Sequence, residues 1–127
     1  MKFVFVMHHV PTTEQLSAAG AEGREVVQLA DKKLLAVPDD ASLGRDWFTT
    51  RAAEILAAVG GLQEGDTLHV MGQQQLAMVV SAMGRKAGAT LVESVTPRTS
   101  KEVTQPDGSV RKESVFSFAG FRTVHQY

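Results

Sequence analysis

Three places in this chain gather side chains able to handle phosphates and sugar hydroxyls. His8 and His9 follow an apolar run, Lys2 to Met7; Gly72, Gln73, Gln74 and Gln75 follow a second, Thr67 to Met71; Arg98, Ser100 and Lys101 follow a third that ends at Thr96. An imidazole changes charge near neutral pH and can give or take a proton. A guanidinium grips phosphate oxygens in forked geometry. A glycine turn that opens a helix leaves bare N–H groups facing an anion or a ribose. Each group has a structural alternative. Gly72 could serve only a tight turn beside solvated glutamines, His9 could cap or pack, and Arg98 and Arg122 could form salt bridges on the surface or between subunits.

Other chemistries lack their marks. His8 and His9 are adjacent, so in a strand they point to opposite faces and do not share a metal. No Asp, Glu or His cluster with ligand spacing accompanies them, and the absence of cysteine removes thiolate sites and disulfides. His69, inside an apolar run, is expected to be a core histidine with its hydrogen bonds satisfied, and His125 to be exposed. There is no Gly-x-Ser-x-Gly elbow, no Walker-type loop and no Gly-x-Gly-x-x-Gly. Neither metal nor cofactor is expected. Any chemistry rests on a few polar groups and on positioning.

The elements that must hold these groups follow from periodicity. Lys2 to Met7 is rich in β-branched and aromatic residues and reads as a strand. Thr12 or Thr13 can cap a short helix ending near Gly20, and Glu25 to Leu29 reads as a second strand. Val37 to Asp40 reads as loop. From about Asp46, residues Phe48, Ala52, Ile55, Leu56 and Val59 share one helical face that Gly60-Gly61 ends. Thr67 to Met71 is a buried strand. Beyond Gly72, residues Leu76, Val79, Val80, Met83 and Ala87 form a second helical face, with Gly88 as its left-handed end. Thr90 to Thr96 is the fourth strand. The order βαβαβαβ predicts a mostly parallel sheet with helices on both faces. Ser100 to Thr104 and Ser109 to Phe118 flank Asp107-Gly108, the signature of a β-hairpin, and Phe121 to Val124 closes the chain. No linker or repeat divides residues 1–127, so a single domain is expected.

Composition narrows the function classes. The chain has 127 residues, 43% of them hydrophobic, and a net charge of −1, which argues against a surface built for long DNA or RNA. Residues 1–84 hold six Lys and Arg against ten Asp and Glu, whereas residues 85–127 hold seven against four; a small anionic ligand gathered by the last third fits this split. No apolar run approaches the length of a membrane span, and Phe3 to Met7 is too short for a signal-peptide core. A cytoplasmic protein is expected.

In order along the chain, the motifs resemble those of the small CRISPR-associated Csx-type ring nucleases of type III systems, the Csx family labelled twenty. That family opens with a strand leading to Ser/Asn-His-x-Leu-Thr-x-x-Gln, and this chain has His8-His9-Val10-Pro11-Thr12-Thr13-Glu14-Gln15. Its Gly-Asp, strand and Gly segment is matched by Gly65-Asp66 and Met71-Gly72, and its Thr-x-Arg by Thr96-Pro97-Arg98. Its Asp-Gly turn and closing Val-Phe-x-His-x-x-Phe-Arg are matched by Asp107-Gly108 and by Val115 to Arg122. Gln73 stands where the family often has Asp, and Phe118 where it often has His.

The resemblance implies a Rossmann-like homodimer that binds cyclic tetra-adenylate and cleaves it, switching off the antiviral response. A two-fold ring suits a two-fold interface. By that resemblance His9 is the general acid or base and Arg98 the phosphate grip, supported by Lys101 or Arg122. Gly72 and Gln73 donate to phosphate or ribose, with His8, Gln74, Thr96 and Ser100 as further ligand contacts. Two other expectations stay open: a non-catalytic protein that sequesters the messenger, and a nucleotide-binding α/β domain without a CRISPR link.

Overall fold

Alternation along the first strand sets the plan of the molecule. The computed structural model describes residues 1–127, and β1 (Lys2–Val6) sends Phe3 and Phe5 to one face of the sheet and Val4 and Val6 to the other. All four are buried, as a central strand covered on both faces requires. Parallel β2 (Glu25–Gln28) and β3 (Thr67–Val70) flank β1, and parallel β4 (Thr90–Val95) continues beyond β3. Between β4 and the last strand the chain makes the antiparallel pair β5 (Arg98–Thr104) and β6 (Val110–Phe116). It then returns as β7 (Gly120–Thr123), antiparallel to β4, so the sheet order is β2-β1-β3-β4-β7.

The helices cover both faces, as the element order predicts. On the Val4 and Val6 side, α2 (Arg45–Ala58) and α3 (Gln74–Lys86) pack Phe48, Ala52, Ile55, Leu76 and Val80 against the sheet. Burial of the larger of these side chains contributes about 1.5–3 kcal/mol each. On the other side α1 (Thr13–Ala19) brings Ala19 and Leu16 against Phe3, Phe5 and Met7, and Phe121 of β7 completes the aromatic layer at 4.7 Å from the Phe3 ring.

The fourth turn of the buried stripe on α3 differs from expectation. Gly84 is buried, and a Cβ there would meet Leu68 Cδ2 at 2.6 Å, while Ala87 is exposed at the C-cap. Gly88 takes φ 98° and ends the helix in the left-handed conformation expected of it. Lys32–Leu35 forms a short 3₁₀ turn ahead of the Val37 to Asp40 segment.

At the amino ends of the strands, buried Asp66 accepts hydrogen bonds from the backbone N–H groups of Lys2 and Gln63, both at 2.9 Å. Lys2 Nζ donates to the carbonyls of Val59 and Gly61. That end of the sheet is therefore tied down, which leaves the carboxyl ends for a ligand. Because α1 leaves β1 on one face and α2 precedes β3 on the other, strand order reverses between β1 and β3, the place where open α/β sheets bind ligands. No helix is long and apolar enough to cross a membrane.

Candidate functional site

Three carboxyl ends and one helix start meet on the α1 face. The register sets His69 beside Phe5 and Val92, so Ser94, two residues past Val92, falls on the same face as His69. Thr12 and Gln15 form a capping box at the start of α1: Thr12 Oγ1 accepts from Gln15 N at 3.1 Å, and Gln15 Oε1 accepts from Thr12 N at 2.9 Å. With its oxygen engaged, Gln15 directs its amide nitrogen toward β4 and donates to Ser94 Oγ at 3.0 Å. His69 Nε2 lies 2.7 Å from the same oxygen.

The ring of His69 is 1% exposed and packs against both Phe5 and Phe121, at 5.3 and 5.8 Å. Its Nδ1 has no hydrogen-bond partner. Sequence reading expects a core histidine with both nitrogens satisfied; the ring is buried but only half satisfied, because its neighbours on that face are aromatic. Burial pushes its pKa below the ordinary value; a contact with its own backbone, short of a well-formed hydrogen bond, opposes this, and beyond that nearby His9 lowers it while Glu93 raises it. The imidazole is therefore neutral at neutral pH.

Above this group opens a cleft of about 530 Å³, within the range of small-molecule sites, roughly 300–1,000 Å³. His9, at the end of β1, and Thr96, at the end of β4, share it with Gln15, His69, Ser94 and Glu93. Phe116 forms a wall at the root of the β5–β6 ribbon. Arg98 is the cross-strand partner of Phe116, and its guanidinium lies over that ring, 5.8 Å from the centroid. Its Nε and Nη2 donate to Ser114 Oγ at 3.0 and 2.7 Å.

Arg98 and the remaining expected residues lie outside the cleft lining. Arg122 is held at the rim by Glu93, with Nη2 2.7 Å from Oε1. This is the salt bridge that stands as the alternative to a phosphate grip. Ser100 shares the ribbon face of Arg98, but alternation turns Lys101 to the opposite face, across from Glu113. Gln73 spends its side-chain oxygen capping α3, accepting from Leu76 N at 2.9 Å. Gly72 and Gln73 border a separate apolar crevice with Val6 and Leu35, and Gln74 is exposed beside them. His8 is exposed on the β1–α1 loop, outside the cleft lining, and His125 is exposed as expected.

Sequence reasoning missed Gln15, Ser94, Glu93 and Phe116, and assigned His69 to the core. Two signals were available: a polar His69 in an otherwise apolar strand, and Ser94 and Thr96 at the two-residue spacing that shares one face. No three His, Cys, Asp or Glu side chains gather closely enough to hold a metal ion.

A family model described as the uncharacterized protein MJ1673 family matches residues 1–122. No curated protein and no solved structure matches the chain. The match spans every strand and helix that builds the cleft, and the chain belongs to the MJ1673 family.

Proposed function

We propose that this chain is a ring nuclease: a cytoplasmic homodimer that binds the cyclic tetra-adenylate messenger of type III CRISPR systems and linearises it without a metal. The observation that carries the reading is the meeting of His9, Thr96 and Phe116 at one cleft on the carboxyl ends of the strands, with Arg98 packed over Phe116 just outside its lining. Those groups supply an imidazole, a hydroxyl, a guanidinium and an aromatic face on which a base can stack. One cleft is too small for a ring of four nucleotides, and two clefts related by a two-fold axis divide it evenly. The ribbon suits a subunit arm, because Val110, Val115 and Phe116 are exposed on it.

RNA carries its own nucleophile. A ribose 2′-hydroxyl held in line with the adjacent phosphorus attacks it, the bond to the 5′-oxygen breaks, and the products are a 2′,3′-cyclic phosphate and a 5′-hydroxyl. Arg98 holds the phosphoryl oxygens, and His9 moves a proton at the attacking or leaving oxygen. Alignment can contribute about 7–11 kcal/mol of the barrier, and acid–base help a further factor of about 10²–10⁴. Incubation with labelled cyclic tetra-adenylate, with and without chelator, tests this. Linear oligoadenylate in both tubes is expected. A bound but intact ring points to sequestration, and an unbound ring to a different ligand.

A further inference from the structure

We propose that Ser94 is a dedicated hydrogen-bond donor for a phosphoryl oxygen in this cleft, held in that role by Gln15 and His69. The proposal rests on the phosphate-handling part of the ring-nuclease reading and adds a residue that the reading does not use.

The hydroxyl proton of Ser94 can be placed by following the network around it. Gln15 Oε1 is fixed on Thr12 N, so the nitrogen that reaches Ser94 Oγ at 3.0 Å is the amide NH₂, which can only donate. His69 is neutral, so one ring nitrogen carries a proton and the other a lone pair. Nδ1 is buried with no partner, and an orphaned buried N–H is rarer and costlier than an unused acceptor. The network thus assigns the proton to Nε2, which donates to Ser94 Oγ across 2.7 Å. Both lone pairs of Ser94 Oγ are then occupied. Its own proton has no acceptor in the chain, and the residue is half-buried on the cleft wall.

A hydroxyl that accepts two hydrogen bonds is polarised toward donating a third, and the ligand it selects is an acceptor. The one carboxylate on the cleft wall, Glu93, is paired with Arg122, so its charge is balanced. A phosphoryl oxygen, short of donors and strongly accepting, fits the direction of that proton, and Arg98, lying over the Phe116 ring, is a cation of the ribbon root with no carboxylate partner.

Adenosine 3′-phosphate is the probe, titrated into the folded protein while the ring signals of His69 are followed by NMR. Wild type is expected to show a saturable shift. Ser94→Ala is expected to weaken binding about ten-fold or more, as loss of a hydrogen bond to a charged group does. Ser94→Thr, which keeps the hydroxyl, is expected within about threefold of wild type, so that a loss from repacking is recognised. No saturable shift in wild type, equal affinity in Ser94→Ala, or equal losses in both variants would each overturn the assignment. The parent reading fails separately: phosphate capture with no cleavage of the ring removes it and leaves Ser94, whereas ring cleavage at equal rates by wild type and Ser94→Ala removes Ser94 alone.

Discussion

Arg98 and Phe116 are cross-strand partners at the root of the β-ribbon, with the guanidinium carbon 5.8 Å from the ring centroid. The only hydrogen-bond partner of this guanidinium is the neutral hydroxyl of Ser114. Arg122, by contrast, spends its charge on Glu93 at 2.7 Å. The two arginines are therefore not equivalent as anion grips.

Arg98→Ala is expected to weaken binding of cyclic tetra-adenylate by about 10- to 100-fold, the worth of a charge-assisted hydrogen bond of about 1.5–3 kcal/mol. Arg122→Ala is expected to stay within a few-fold, because an exposed ion pair contributes about 1 kcal/mol or less. Calorimetric titration of both variants checks the difference. Equal losses would show that the Glu93 pair breaks on binding.

His9→Ala should slow cleavage while binding is retained. The expected loss in single-turnover rate is about 10²–10⁴-fold. A wild-type rate would remove His9 from proton transfer and leave it as a wall of the cleft.

His69 makes stability depend on pH. Its folded pKa is below the ordinary 6.5 because burial disfavours the imidazolium, so below that value the unfolded chain binds the proton more readily than the folded one. The stability held by the neutral ring is complete above pH 6.5 and is lost as pH falls from there through the folded value. Urea denaturation of wild type between pH 7.5 and about 5 should show this decline, and His69→Asn should flatten it. Parallel pH curves for the two proteins would contradict the buried neutral ring.

Asp66→Ala should destabilise the fold by about 3 kcal/mol, since two backbone N–H groups lose a charged acceptor in a buried place. Urea unfolding gives the value. A change under about 0.5 kcal/mol would mean that water replaces the carboxylate.

The elements were legible because their signals are local. The run Phe3 to Val6 alternates between two covered faces, Thr12 and Gln15 cap a helix three residues apart, and Gly88 can adopt the φ that ends α3. The site was legible only in part, because its contacts are distant in the chain. Ser94 meets His69 across 25 residues and Gln15 across 79, and no periodicity reports such pairings. The return of β7 beside β4 and the capture of Arg122 by Glu93 depend on the same long-range register. Arg98 and Lys101 are three residues apart in sequence, yet strand alternation sends them to opposite faces of the ribbon.

The most direct measurement compares cyclic tetra-adenylate with the same ring methylated at every 2′-oxygen, each incubated with the protein and its products weighed by mass spectrometry. The ribose ring should open to linear oligoadenylate ending in a 2′,3′-cyclic phosphate, and the methylated ring should stay whole. Opening of the methylated ring, or a ribose ring left uncut, would contradict attack by the ring's own hydroxyl.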